Sequence, residues 1–381
     1  MSFLIFWTKT PLALNTLFSA EVSHFSLNRS PHSRHILTIS LRRSSLSLQL
    51  PSPPSSPSWA MMPPKCIPLL EIPIEDRYVG HMTYRGSRRL TKLKKRFEGH
   101  GLLGRVNEFV FGPVFTAPAF SFFGALVHTL LLWKVKSLRG DEVHFLMGPN
   151  LCKFWVHEFV IITDLSCSCP PLAADIQPHL TSSRLVDTYF SVEPKKDIKF
   201  NVLERAFSMC DILDDLYKLG LFYFVEGILL VAEYDNAIWR DSLSMVNELD
   251  YFEKYPWGSL SFDTTVKQFS RDMKVIGATI PCKKAKKIIE VESSKGVQVE
   301  AKYTCKGYLP ALQYWAYETI LDLHKEYAKP CGFKFPRMLQ WESIGQPKHL
   351  HLKDALARRH ASTRRARLLR HHISEDRRGC S

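Results

Sequence analysis

The stretch Gly220-Leu-Phe-Tyr-Phe-Val-Glu-Gly-Ile-Leu-Leu-Val231 constrains the fold more than any other part of this chain. From Leu219 to Val231 a helix would be apolar nearly all round. It would have no face to give to water and must sit at the centre of a domain. The expected helix runs from about Asp214 to Val231. Asp214 and Asp215 then fall in its first turn, where carboxylates favour the positive helix end. Two-metal nucleases need converging carboxylates. Asp211, Asp214 and Asp215 lie close enough in sequence to suggest such a set, but helix-start chemistry accounts for them. Glu226 is the one acid inside the apolar run. An unpaired carboxylate there is costly, so a structural hydrogen bond or an arginine partner is expected, with contact to a ligand as the alternative.

The flanking patterns extend the helical theme. Leu90, Leu93, Lys94 and Phe97 have helical spacing within a basic lead-in at 80–108. Val143, Phe145 and Met147 alternate, Gly148-Pro-Asn150 is turn chemistry, and an extended run resumes at Leu151. A β-hairpin is expected there, followed by a helix from about Val156 to Thr163. Ser166–Pro178 reads as a loop and Arg184–Phe190 as a short helix or strand. Asn201-Val-Leu-Glu204 has the form of a capping box with Asn201 as the cap. Leu243, Val246, Leu249 and Phe252 stripe a further helix. After the aromatic turn Tyr255-Pro-Trp-Gly258, Ser261 is expected to cap a helix with Phe262, Val266, Phe269 and Met273 on one face. Gly277–Lys306 breaks the pattern as a mobile insertion with a small hairpin around Ser293–Gly296. A helix from Tyr308 to Leu323 closes the core, and the pattern dissolves after Pro330.

Phe109–Trp133 contains no acid, Lys or Arg and is long enough to cross a bilayer. Gly112, Pro113 and Pro118 break its first half, so an uninterrupted helix can start only near Ala119. That length suits a buried core helix better, and a single membrane pass through 109–133 is the alternative.

Charge is spread unevenly over the 381 residues, whose net charge is +14. Arg85–Arg96 is basic without an acid, Lys283, Lys284, Lys286 and Lys287 form a second cluster, and the end carries Arg358, Arg359, Arg364, Arg365, Arg367 and Arg370. Between Asp141 and Pro281 acids outnumber Lys and Arg. An acidic body therefore carries basic appendages, which suit polyanions or are simply solvated faces. Arg88, Arg89, Lys92, Lys94 and Lys95, the lysine cluster and the arginines at 358, 359, 364, 365 and 367 are the candidate nucleic-acid contacts. The last group also has the two-cluster form of a nuclear-import signal. Residues 1–60 are rich in Ser, Arg and Pro with Glu21 as their only acid. They read as a transit peptide or as an over-extended reading frame, with Met61-Met62 as the natural start.

Residues that would spell out a reaction are not found. The nine cysteines are scattered, with Cys167-Ser-Cys169 the only close pair. That pattern suits reduced thiols rather than a disulfide framework. Cys167, Cys169 and His179 fall short of the four ligands of a zinc site. Phosphate-loop, dinucleotide and nucleophile-elbow motifs are missing. Trp257 and Trp315 read as core aromatics, with base stacking as the alternative.

Taken in order, Asp141–Gly148, Lys153–Thr163, Gly220–Gly227, Tyr255–Gly258 and Leu312–Glu318 resemble the plant domain of unknown function nineteen-eighty-five, with a distant resemblance to the plant mobile domain. The resemblance implies transposon origin, a plant nucleus, and nucleic acid, chromatin proteins, transposon products or SUMO-pathway proteins as partners. In that family Thr-Gly-Leu usually follows the Lys153–Thr163 motif; here Asp164 stands in place of the glycine. Longer proteins of this kind often carry a SUMO-type cysteine protease domain, and the chain could be a remnant that lacks it; too little sequence follows the core to carry that activity over. The expected fold is mainly α: a single helical globular domain at 80–328 with one β-hairpin (minor α+β), a Lys-rich insertion at 277–306, and disordered basic termini at 1–60 and 329–381. The expected function is a non-catalytic interaction module, with no cofactor, no metal and no small-molecule substrate. The expected location is the nucleus, with the cytoplasm as the alternative.

Overall fold

In a computed structural model of the chain, residues 69–136, 140–147, 150–190, 198–274, 301–347 and 349–357 are described. The apolar run is helical and central. Leu213–Phe224 is α-helical and continues through a π-turn at Val225–Leu229. Leu216, Leu219, Leu221, Phe222, Phe224, Val225, Ile228 and Leu229 are all fully buried. A helix that ends inside a core leaves its last carbonyls without partners unless other parts of the chain supply donors. Here four distant donors do so. Arg89 Nη1 reaches Gly227 O at 3.2 Å, Tyr84 Oη reaches Ile228 O at 2.8 Å, Ser261 Oγ reaches Leu229 O at 3.0 Å, and Gly307 N reaches Leu230 O at 3.1 Å. Val231 then leaves the helix at φ 55°.

In chain order the described elements begin with strand β1 (Gly80–Thr83) and helices α1 (Gly86–Gly99), α2 (Leu103–Asn107), α3 (Gly112–Thr116) and α4 (Gly124–Leu132). The charge-free stretch is thus two short helices separated at Pro118. Phe111, Val114, Leu126, Val127, Leu130 and Leu131 point into protein. No helix among the described residues is long and apolar enough to cross a membrane. The expected hairpin follows as β2 (Val143–Met147) and β3 (Asn150–Phe154), antiparallel with Phe145 opposite Cys152. Helix α5 (Val156–Thr163) ends at Asp164 in the left-handed region, φ 61° and ψ 11°. An aspartate tolerates that conformation less well than glycine.

The next elements are α6 (Ala173–Ile176), which interrupts the expected loop, α7 (Arg184–Tyr189), α8 (Phe200–Met209), the central helix α9 (Leu213–Phe224), α10 (Arg240–Met245), α11 (Leu249–Lys254) and α12 (Trp257–Phe269). Three expectations need correction. Helix α8 starts at Phe200, so Asn201 lies inside it and is not its cap. The free N–H groups of Phe200 and Asn201 go to Asn236 O and Tyr234 O, both at 3.1 Å, so a neighbouring loop replaces the side-chain cap. The stripe from Leu243 to Phe252 is two helices rather than one, although Leu243, Val246 and Phe252 are all buried. Helix α12 starts at Trp257, and Ser261 is an internal residue whose hydroxyl goes to the central helix.

Strand β4 (Ala301–Thr304) pairs in parallel with β1, Met82 opposite Tyr303. The hairpin expected around Ser293–Gly296 lies outside the described residues. The closing helix is broken: Pro310–Thr319 and Leu321–Tyr327 are separate, with buried Ile320 extended between them. The chain also stays ordered past Pro330, where the sequence pattern predicts disorder. Strands β5 (Ala328–Pro330) and β6 (Trp341–Ser343) pair antiparallel, and a helix at His349–Ala357 packs on α4. Met338, Trp341, Leu352 and Leu356 join the core, as does Ile72 before the expected start. The fold is mainly α with three two-stranded sheets among the described residues.

Candidate nucleic-acid interface

Helix α1 follows from its apolar spacing. Leu93 and Phe97 are buried, and Phe97 lies between Phe115 and Tyr217 at centroid distances of 6.2 and 5.8 Å. Gly220 lets the central helix approach this closely, because a Cβ there would stand 2.3 Å from the Phe97 ring. With the Leu93 and Phe97 side pressed inward, 100° per residue turns Arg88, Lys92 and Lys95 to the other side. All three are exposed. Arg88 and Lys95 have no hydrogen bond or ion pair among the described residues, whereas Lys92 Nζ lies 3.2 Å from Glu204 Oε1.

Arg89 stands apart from the other candidates. It is 3% exposed, caps Gly227 O and lies 4.0 Å over the Phe200 ring. Burial lowers its pKa. It therefore anchors α1 to the π-turn and does not present a charge to solvent. Its position four residues before Leu93 and eight before Phe97, on their stripe, was a signal in the sequence that its role is internal. Arg89→Met keeps the stem and loses the cap and the ring contact. It should lower stability by about 1–2 kcal/mol, seen as a lower urea midpoint with an unchanged slope; an unchanged midpoint would remove this role.

Lys94 is half-buried beside Leu90, and burial lowers its pKa. Just beyond the candidate set, Arg96 is tied to Asp211 at 3.1 Å and to Cys210 O at 2.7 Å, and Arg105 lies 3.4 Å from Asp214. Acids of the α8–α9 region thus neutralise part of the basic lead-in. Lys283, Lys284, Lys286, Lys287, Arg358, Arg359, Arg364, Arg365 and Arg367 lie outside the described residues.

The carboxylates near the start of α9 are all engaged. Arg184 and Tyr189 hold Asp215, and the Arg184 hydrogen bond keeps its pKa low; Lys218 does the same for Asp214 at 2.8 Å. No group of three potential metal ligands occurs among the described residues. His179 is turned to Glu248, 2.6 Å away, and stacks on Tyr251. Trp257 and Trp315 are both buried in the core.

Glu226 is 3% exposed, and its Oε1 accepts the Trp239 N–H at 3.0 Å. Burial pushes its pKa up to about 7, with that single N–H acting in the opposite direction. The hydrogen bond expected from the sequence is present, and its donor is a backbone amide. Sequence reasoning missed a groove beside α1, whose lining runs from Tyr84 to Met338. No local pattern brings such distant residues together.

The fold and this surface define a mainly helical domain with small two-stranded sheets and a basic helix on its outside. Residues 131–268 match the model of a family described as Domain of unknown function (DUF1985). This is the family that the motifs resemble. The match runs from the end of α4 to the end of α12 and takes in four of the five motifs; Leu312–Glu318, α1 and β1 lie outside it. No curated protein and no solved structure matches the chain.

Proposed function

We propose that this chain is a non-catalytic interaction module of transposon origin that works in the nucleus and binds nucleic acid through its basic residues. The observation that carries this reading is the pair Arg88 and Lys95, exposed and without an acidic partner among the described residues, on a helix that Arg89, Leu93 and Phe97 anchor to the core. Seven residues of helix separate them by about 10 Å, so each can meet a different phosphate. Binding of this kind carries no base information and is salt-sensitive. The net charge of +14 supports the reading through long-range attraction.

The test is a salt series of DNA titrations with the full chain and with Arg88→Ala/Lys95→Ala. Removing one cation from a phosphate should lower the slope of log K against log salt by about 1, so the double variant should show a slope lower by about 2. Replacing Lys283, Lys284, Lys286 and Lys287 by alanine measures the share of that cluster in the same way. No salt-dependent binding by the unaltered chain, or a slope unchanged in every variant, would end this reading.

A further inference from the structure

A groove runs along α1 on the side next to the Arg88–Lys95 face. Tyr84, Leu90, Lys94, Phe120, Tyr308 and Tyr314 form much of its lining, and its volume is about 200 Å³. Small-molecule sites usually enclose at least about 300 Å³, so this groove suits one side chain rather than a cofactor. Phe120 and Tyr314 stack at 4.6 Å and make an aromatic wall.

Tyr84 and Thr91 in the groove spend their hydroxyls on Ile228 O and Ser87 O, but other polar groups there lack partners among the described residues. Tyr308 and Tyr314 are 3% and 1% exposed, yet their hydroxyls have no hydrogen bond among the described residues. Both residues line the groove. Lys94 has no ion pair among the described residues, and burial disfavours its charge. Its ammonium has lost water on one side and gained no counter-charge, so an incoming carboxylate would meet a cation that is already partly desolvated.

We propose that the groove binds an acidic peptide segment of a partner protein. An apolar side chain enters between Leu90 and the Phe120–Tyr314 wall, and a neighbouring carboxylate meets the Lys94 ammonium and the Tyr308 and Tyr314 hydroxyls. Charge complementarity selects this occupant, because Arg88 and Lys95 flank the groove with further positive charge. A nucleotide fits less well. The lining side chains include no carboxylate or amide to accept from the amino groups of a base edge, and base, sugar and phosphate together need more room. The proposal does not rest on the nucleic-acid reading, since its direct contacts are Lys94 and the groove lining, and Arg88 and Lys95 add only longer-range attraction.

The experiment measures fluorescence anisotropy with the full chain and a labelled peptide, Glu-Asp-Phe-Leu-Asp-Glu. A second peptide has Ser in place of Phe and Leu, and a labelled single-stranded oligothymidylate is titrated separately. Lys94→Met should weaken binding of the apolar acidic peptide by about tenfold or more, the size expected for one charge-assisted hydrogen bond. Ala119→Trp, at the exposed rim, should block the peptide without touching the core, which guards against a folding defect in the lysine variant. Ala119→Trp, which removes no charge, should leave oligothymidylate binding unchanged. The proposal fails if the peptide does not bind at millimolar concentration, if the serine peptide binds equally, or if neither variant weakens it. Loss of oligothymidylate in place of the peptide would assign the groove to a nucleotide and also overturn it.

Discussion

Gly124→Val should destabilise the protein by about 3 kcal/mol or more, enough to remove a cooperative thermal transition from a marginally stable fold. Gly124 opens α4 where that helix meets β1. A Cβ there would stand 1.8 Å from Met82 O and 2.9 Å from the His81 ring. The nearest obstacle is backbone, which cannot swing aside as a long side chain can. The helix cannot retreat either: Phe123 N donates to Gln313 Oε1 at 2.7 Å, and five residues on, His128 reaches Tyr78 O at 3.1 Å and Tyr303 Oη at 3.0 Å. Gly99 is the contrast. Nothing lies within 4 Å of its added Cβ and its φ is not positive, so Gly99→Ala should stabilise by about 0.5 kcal/mol. Calorimetry on the two variants checks both signs. A Gly124→Val melt that superposes on the parent would show that α4 and β1 are not in backbone contact.

Glu226→Gln should remove a pH dependence that the parent protein shows between about pH 4.5 and 7. The unfolded carboxyl ionises near 4.5 and the folded one near 7. Between these values the folded state holds a proton that the unfolded state has released, so stability falls as pH rises and levels off above about 7. The stabilising difference is fully present below pH 4.5. The loss across the window is roughly 3 kcal/mol. Gln keeps an oxygen for the Trp239 N–H and, like the protonated acid, adds a donor, but it cannot ionise. Urea midpoints measured from pH 4.5 to 8 should decline for the parent and decline much less for the variant, in which Asp164 and Asp263, their pKa values also raised by burial, still act in the same sense. Asp214 and Asp215 have lowered pKa values and act in the opposite sense, losing stability as pH falls through the acid range, so they do not mimic the effect. Parallel curves would mean that Glu226 is not desolvated in the folded state.

Features set by local pattern were legible in the sequence. The hairpin at 143–154 follows from alternation and a Gly-Pro-Asn turn, and α5 follows from spacing. The helical core position of Leu219–Leu229 follows from apolarity on all sides. The breaks were not legible, because tertiary contacts make them. Ile320 is buried as extended chain between two helices whose residues read as one stripe. The cap of α8 comes from the loop at 234–236, which no capping rule sees. Parallel pairing of β1 with β4 joins short segments far apart in sequence and leaves no turn signal. The candidate surface divides in the same way. Exposure of Arg88 and Lys95 follows from helical spacing. The inward turn of Arg89 follows from the same spacing, but its partner, a carbonyl freed at the π-turn, does not, and the groove beside Lys94 depends on rings far apart in the sequence.

The β1–β4 pairing has a bearing on synthesis. Chains emerge from the ribosome starting at the N-terminus, so the Gly80–Thr83 strand and the His128 ring exist long before Tyr303 arrives to complete them. Until then the growing polypeptide carries a histidine whose seat lacks a wall and a strand edge with no mate. Such an edge can recruit another nascent molecule, so until Tyr303 has been made this body stays open to chaperones and to swapping between copies.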